Sequence, residues 1–289
     1  MFAFENSISN LLAAFLHDRL ITGATILVYH SVSSDTNKTK LLTDSVCLAE
    51  FEKQIRFLRE GSFKVIPLKD LVYHLEKGEQ IPRKSVVITF DDGYKNTFSN
   101  AYPILEKYKM PATVFLAAGY IGSKGLFPWL ESFRGSSYFD DLSPMNWEEV
   151  IELHNSGIEI GSHTFSHKFL PRMNRNEIEE EVLKSQSVIT EKIGTIVRSF
   201  ALPFSFPIKH HSWPTFRRVL LEALEKGGYT SCCTMLRGHI TLKSYPFFLK
   251  RIPVVKYDNL KSFSAKLLGC YTWTRIPQYI FQALFKNYN

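Results

Sequence analysis

The sequence predicts an α/β protein built on a parallel barrel. Short β-prone runs alternate with helix-length amphipathic segments about seven times, with no internal repeat or low-complexity linker, and that alternation makes a parallel sheet. Neither a G-x-G-x-x-G nor a P-loop motif occurs, which favours a barrel over an open nucleotide-binding sheet. Several strands end on reactive residues, and in a parallel barrel all C-terminal strand ends share one face. The 289 residues, 45% hydrophobic and 22% charged, suit one barrel-sized domain.

The elements follow in order. Ile8, Leu11, Leu12, Phe15, Leu16 and Leu20 recur at helical spacing within residues 5–21, which predicts an N-terminal amphipathic helix ahead of the barrel. A first strand, Thr25–His30, ends on a histidine, and residues 33–45 read as a polar loop. Phe51, Ile55 and Leu58 mark a helix stopped by Gly61, followed by a strand at Phe63–Ile66 and a helix at Leu68–Leu75 closed by Gly78. Val86-Val87-Ile88-Thr89-Phe90 is a strand buried on both faces that runs into Asp91-Asp92-Gly93. A helix at Asn96–Tyr108 must start late or kink at Pro103. Pro111–Ala117 is a strand, and residues 119–145 have no period and read as a long loop. Then come a helix at Trp147–Asn155, a strand at Gly157–Ser162 ending on His163, and a helix at Asn176–Ile193 closed by Gly194. A strand at Val197–Leu202 meets Pro203. Further on lie a helix at Thr215–Lys226, strands at Tyr229–Met235 and within Phe247–Val255, and a helix at Asn259–Leu268. The expected boundaries are 1–22 for the N-terminal helix, 23–256 for the barrel and 257–289 for a C-terminal helical tail.

The net charge of +7 suits an acidic glycan or an anionic surface, but no long Lys/Arg run or basic aromatic stripe supports nucleic-acid binding. Four cysteines, Cys47, Cys232, Cys233 and Cys270, lack paired spacing and read as reduced, buried thiols. No signal peptide or membrane-spanning run is visible, so a cytoplasmic location is expected. Peripheral membrane contact through the N-terminal helix or the aromatic-rich tail 275–288 is compatible with it.

Two adjacent carboxylates resist ionising together unless a cation or a shared proton relieves them. Asp91 and Asp92, at a strand end, therefore ask for a metal. His163 and His167 lie four apart, on one helical turn or in a tight loop leaving a strand, so that both imidazoles can reach one ion. Two histidines and a carboxylate commonly hold zinc and related divalent ions with positions left for water. Asp92 can serve as a ligand, leaving Asp91 as general base, and His30 is placed to protonate a leaving group. That is machinery for hydrolysis at an acyl or amide carbon.

These residues carry a resemblance. Thr89-Phe90-Asp91-Asp92-Gly93-Tyr94 and His163-Thr164-Phe165-Ser166-His167 resemble the first and second motifs of the polysaccharide deacetylases, carbohydrate esterase family 4. Tyr102-Pro103-Ile104-Leu105, Pro111–Phe115, Trp147-Glu148-Glu149 and Gly157–Ser162 agree. Val28-Tyr29-His30-Ser31-Val32 is similar to the opening of the branch that acts on exopolysaccharide N-acetylglucosamine. The resemblance runs from about residue 25 to residue 256. It implies a distorted (β/α) barrel of about seven parallel strands in a single domain, and metal-dependent removal of N- or O-acetyl groups from a carbohydrate. By the family pattern Asp91 is the base, and Asp92, His163 and His167 hold the metal. His30 is the acid or transition-state stabiliser, and Arg251 orients the base. The ligand set accepts a divalent metal, zinc first, with cobalt, nickel or manganese as substitutes. The third motif departs from the family, reading Phe200-Ala201-Leu202-Pro203-Phe204-Ser205. The backbone N–H of Phe204 can still face an oxyanion, because that donor does not depend on the side chain. Two other readings stand beside the deacetylase: a deformylase of a lipid-linked amino sugar, and a catalytically degraded module that binds glycan without turnover.

Overall fold

The structure, a computed structural model, describes residues 9, 23–34, 42–133, 142–204, 213–274 and 278. The expected N-terminal helix and the tail 275–288 lie outside the described residues, apart from Ser9 and Gln278.

Ten strands are present: β1 (Ala24–Tyr29), β2 (Ser31–Ser33), β3 (Ser45–Cys47), β4 (Lys64–Val65), β5 (Ser85–Phe90), β6 (Thr113–Leu116), β7 (Glu159–Ser162), β8 (Ser199–Ala201), β9 (Ser231–Cys233) and β10 (Ile252–Pro253), counted among the described residues. The principal sheet runs β10-β1-β5-β6-β7-β8-β9, all parallel, with β4 beside the lower half of β5. This is the distorted (β/α) barrel. β1 and β5 are its longest pair, in register from Ala24 opposite Ser85 to Tyr29 opposite Phe90. All twelve of their residues are buried, as unbroken apolar runs require in a sheet covered on both faces.

The ring closes irregularly. The expected strand within Phe247–Val255 is divided. A 3₁₀ turn, Pro246–Phe248, precedes Leu249, which bridges to Cys233 of β9. Ile252 and Pro253 then pair with Leu27 and Val28 of β1. Proline cannot donate to a ladder, which keeps this last strand short. Residues 33–45 are not all loop: their ends form β2 and β3, a parallel pair beside the barrel.

Side chains sort by strand alternation. Leu27, Tyr29, Val86, Ile88 and Phe90 face the helix Leu48–Glu60 through Phe51, Ile55 and Leu58. Ile26, Val87, Phe115, Ala201, Cys233 and Leu249 cluster with Leu68, Leu71, Val72 and Leu75 of the helix Leu68–Lys77, which seals the bottom of the barrel. The helix expected at Asn96–Tyr108 opens as a π turn, Thr97–Ala101, and becomes α-helical at Tyr102–Tyr108 with Pro103 in its first turn, where a missing N–H costs nothing. The helices Trp147–Asn155 and Arg175–Ile193 begin with full capping boxes, from Asn146 with Glu149 and from Asn174 with Glu177. The helix Leu260–Leu267 packs Phe263 against Phe57, and its Lys266 donates to Pro253 O at 2.7 Å. Among the described residues no helix is long and apolar enough to cross a membrane.

Candidate active site

Asp91 leaves β5 with its N–H bonded to Tyr29 O at 3.0 Å, so the carboxylate enters the barrel mouth on a rigid strand end. The backbone then turns left-handed at Asp92 (φ 75°) and again at Gly93 (φ 89°). This turn separates two adjacent acids. The Asp91 carboxylate meets Arg251, whose Nη1 and Nη2 donate to Oδ1 and Oδ2 at 2.6 Å each. Arg251 is no surface charge. It is wholly buried, donates from Nε to Thr234 O at 3.2 Å, and lies over the Phe115 ring. Burial alone would raise the Asp91 carboxyl, but the Arg251 guanidinium, with His163 beside it, holds it below its ordinary value.

Asp92 faces the histidines. Its Oδ1 lies 3.4 Å from His163 Nε2 and 3.3 Å from His167 Nε2. His163 Nδ1 donates to Ala201 O at 2.8 Å, since a carbonyl can only accept. The Nε2 lone pair of neutral His163 therefore points into the site. Burial would raise the Asp92 carboxyl, yet the two imidazoles hold it well below the carboxylate range. For His163, burial opposes a charge, but Asp91 and Asp92 outweigh it and push the imidazole up.

These atoms suit a metal. Asp92 Oδ1 is buried with no hydrogen-bond donor, and one donor atom from each of Asp92, His163 and His167 falls within a 4.8 Å cluster. An orphaned carboxylate oxygen flanked by two imidazole nitrogens is a donor set of the kind that can hold a divalent cation.

The histidine pair sits on the tight loop rather than on a helical turn. Thr164 (φ 67°) and His167 (φ 52°) are both left-handed, and Thr164 Oγ1 accepts from His167 N at 2.9 Å. His30 follows β1 directly. Its Nδ1 is buried without a partner, and its positive charge, when protonated, lowers both carboxyls. Phe204 follows β8 in a left-handed conformation (φ 61°), with its half-exposed ring 4.9 Å from that of His167. The structure thus gathers Asp91, Asp92, His163, His167 and Arg251 at one barrel mouth, with His30 and Phe204 at its edge.

Three further residues border the site that the sequence did not assign to it, although Trp129 is one of the long-loop aromatics that suit either sugar stacking or core packing and Tyr94 closes the first motif. Trp129, in the 3₁₀ turn Pro128–Phe133 of the long loop, lays its ring 4.3 Å from His167, and its Nε1 donates to Tyr94 Oη at 2.8 Å. Burial, and then the neighbouring Asp92 charge, push the Tyr94 phenol well up. Glu181, on the helix Arg175–Ile193, accepts from Phe165 N at 3.0 Å, Ser166 N at 2.7 Å and Ser166 Oγ. Its burial, though not its partners, has a sequence signal: an acid on the same helix face as Ile178, Val182, Ser185 and Ile189.

The profile of the polysaccharide deacetylase family matches residues 78–230, more than half the chain and both motifs. The chain belongs to the polysaccharide deacetylase family. A poly-β-1,6-N-acetyl-D-glucosamine N-deacetylase of Staphylococcus aureus (strain MRSA252) is 30% identical to this family member over 217 residues, covering 72% of this chain and 67% of the relative. IcaB from Ammonifex degensii superposes with a TM-score of 0.67 at 22% identity, covering 86% of this chain and 97% of that one. The Streptococcus pyogenes deacetylase PplD, in complex with acetate, gives a TM-score of 0.65 at 19% identity over 82% of this chain and 94% of that one. At these identities the two structures establish a shared fold.

Proposed function

We propose that the protein is a metal-dependent carbohydrate deacetylase that removes N-acetyl groups from an N-acetylglucosamine polymer or its precursor. One observation carries the reading: two adjacent aspartates are given opposite surroundings, Asp91 clamped by Arg251 and Asp92 turned to two histidines. The 30% identity to an N-deacetylase of poly-β-1,6-N-acetyl-D-glucosamine supports the substrate class.

Asp92, His163 and His167 would hold a divalent metal, zinc by preference, with cobalt, nickel or manganese as substitutes. Bound there, such an ion would lower the pKa of water and polarise an acetyl carbonyl. Asp91 takes the proton of the attacking water, and the Arg251 fork keeps this base ionised and aimed. The backbone N–H of Phe204 donates to the developing oxyanion. His30 protonates the departing amine as the C–N bond breaks. The sugar amine and acetate are the products. Trp129 and Phe204, whose rings lie 4.3 Å and 4.9 Å from that of His167, exclude bulk water and strengthen the electrostatics of the site.

The test is acetate release from N-acetylglucosamine oligomers by metal-stripped protein and by protein resupplied with zinc, cobalt or nickel, with elemental analysis alongside. Metal-dependent release is expected. Asp92→Ala and His163→Ala should lose metal and turnover together. Asp91→Asn should keep metal and lose about 10²- to 10⁴-fold in rate. Full activity of Asp91→Asn would refute the base assignment. Bound metal without acetate would move the substrate to a formylated or lipid-linked sugar, and glycan affinity without metal would indicate a binding module.

A further inference from the structure

Both histidines of the site depend on one helix, Arg175–Ile193, that contributes no ligand. Ser185 Oγ of this helix lies 2.6 Å from Ser162 Oγ, on the residue just before His163. Glu181, one turn earlier and 8% exposed, receives Phe165 N, Ser166 N and Ser166 Oγ from the loop between His163 and His167. The other side of that loop is tied by Ala118 N to Thr164 O at 3.1 Å, Gly119 N to Phe165 O at 2.8 Å and Tyr120 Oη to Ser166 O at 3.1 Å.

The loop needs such fastening. Thr164, a β-branched residue, and His167 both adopt the left-handed backbone that glycine normally occupies, and such strain persists only where the surroundings over-determine it. A carboxylate is also costly to bury unless its lone pairs are used. Three donors from two adjacent residues, Phe165 and Ser166, use them here, two of them backbone N–H groups.

We infer that Glu181 is a positioning residue that sets the metal affinity of the site by holding the His163–His167 loop in its ligating shape before any ion arrives. The inference rests on the metal site proposed above. Outer partners that fix ligand orientation change metal affinity by about 10- to 100-fold when removed. Glu181 acts on the loop backbone rather than on an imidazole, so its effect falls on both histidines together. Glu181→Gln retains one carbonyl acceptor for three donors and introduces an NH₂ group among N–H and O–H donors. Ser166→Ala removes one donor and leaves the buried carboxylate and both backbone bonds in place.

The experiment is titration of the metal-stripped full chain with Co²⁺, read by its visible absorption and by competition with a chelator. Urea unfolding of the metal-free proteins runs in parallel. Wild type should bind one Co²⁺ per chain, Glu181→Gln about 10- to 100-fold more weakly, and Ser166→Ala roughly three- to ten-fold more weakly, as loss of one hydrogen bond requires. The double variant should bind no more weakly than the product of the single losses, because both changes act on one network. A merely structural role would lower the urea midpoint and leave the Co²⁺ affinity of the folded protein unchanged, and that result overturns the inference. Should Glu181→Gln fail to fold, unchanged affinity in Ser166→Ala overturns it equally. A wild-type chain that binds no Co²⁺ would instead sink the metal site itself, a distinct failure.

Discussion

At the scale of single residues, the site turns on the difference between Asp91 and Asp92. Their side chains diverge because Asp92 takes a left-handed backbone, and what each then meets decides its task. Arg251 and Asp91 form a fully buried, two-pronged pair, so removing either partner strands a charge in the core. Arg251→Gln should cost about 3–5 kcal/mol of stability, and Asp91→Asn should also destabilise by leaving the guanidinium unbalanced. The double variant strands neither charge and should recover part of the loss. Urea midpoints of the four proteins measure this coupling, and strict additivity would mean that the pair does not interact as the geometry requires. The acids, the histidines and their placement at strand ends were readable because they follow β-prone runs directly. Arg251 was named only through the family pattern. Trp129 and Glu181 were not named as site residues, because their parts depend on which loop folds over the mouth and which helix face meets it, and neither is local information.

At the scale of elements, β7 shows how a strand position that carries no reacting group bears on the site. Its sequence carries Gly161 between Ile160 and Ser162, and an isolated glycine in a strand signals a close approach. A Cβ there would lie 2.4 Å from Phe115 Cδ1 and 3.0 Å from Ser199 O. Phe115 is fully buried under the Arg251 guanidinium, 5.7 Å from its ring centre, so it cannot yield without disturbing the Asp91 clamp. Gly161→Ala is therefore expected to cost about 1–3 kcal/mol by overpacking and to lower the turnover of what folds. Thermal unfolding and acetate release on the same sample check both effects, and an alanine variant of unchanged stability would show that Phe115 has room the packing denies. The helical elements were legible to within a few residues because caps and glycines mark their ends. β2 and β3 were not, because three-residue strands leave no periodicity to read and owe their existence to partners. Asn96 Nδ2 donates to Ser31 Oγ at 2.8 Å and Asn100 Nδ2 to Val32 O at 2.8 Å, both from the segment after Asp92.

At the scale of the whole molecule, the weak point of a distorted barrel is its seam, and here the seam carries its own reporters. Cys232 and Cys233 lie in β9, where the ring is joined to β1 through Leu249, Ile252 and Pro253, with Ile240 bridging Ala24 at the start of β1. Both are wholly buried, and burial pushes the Cys233 thiol up to about 12, so it is neither reachable nor ionised in the native state. Cys270 is buried as well, whereas Cys47, expected to be buried, is partly exposed at the end of β3. With iodoacetamide at pH 8, Cys47 should alkylate first in the folded protein. Cys232 and Cys233 should react only at the rate set by opening of the structure. If the Leu249 bridge truly closes the ring, that opening is global, and urea below the unfolding midpoint should accelerate labelling with the full slope of the unfolding equilibrium. Labelling of Cys233 that is fast and insensitive to urea would mean that β9 detaches from its seam alone. The Asp91–Arg251 clamp would then be mobile too, because Arg251 lies on the closing segment between Leu249 and Ile252, anchored by its N–H to Leu236 O at 2.9 Å. Peptide mass spectrometry distinguishes the two outcomes, and with them an Asp91–Arg251 clamp held by a closed barrel from one held by an open sheet edge.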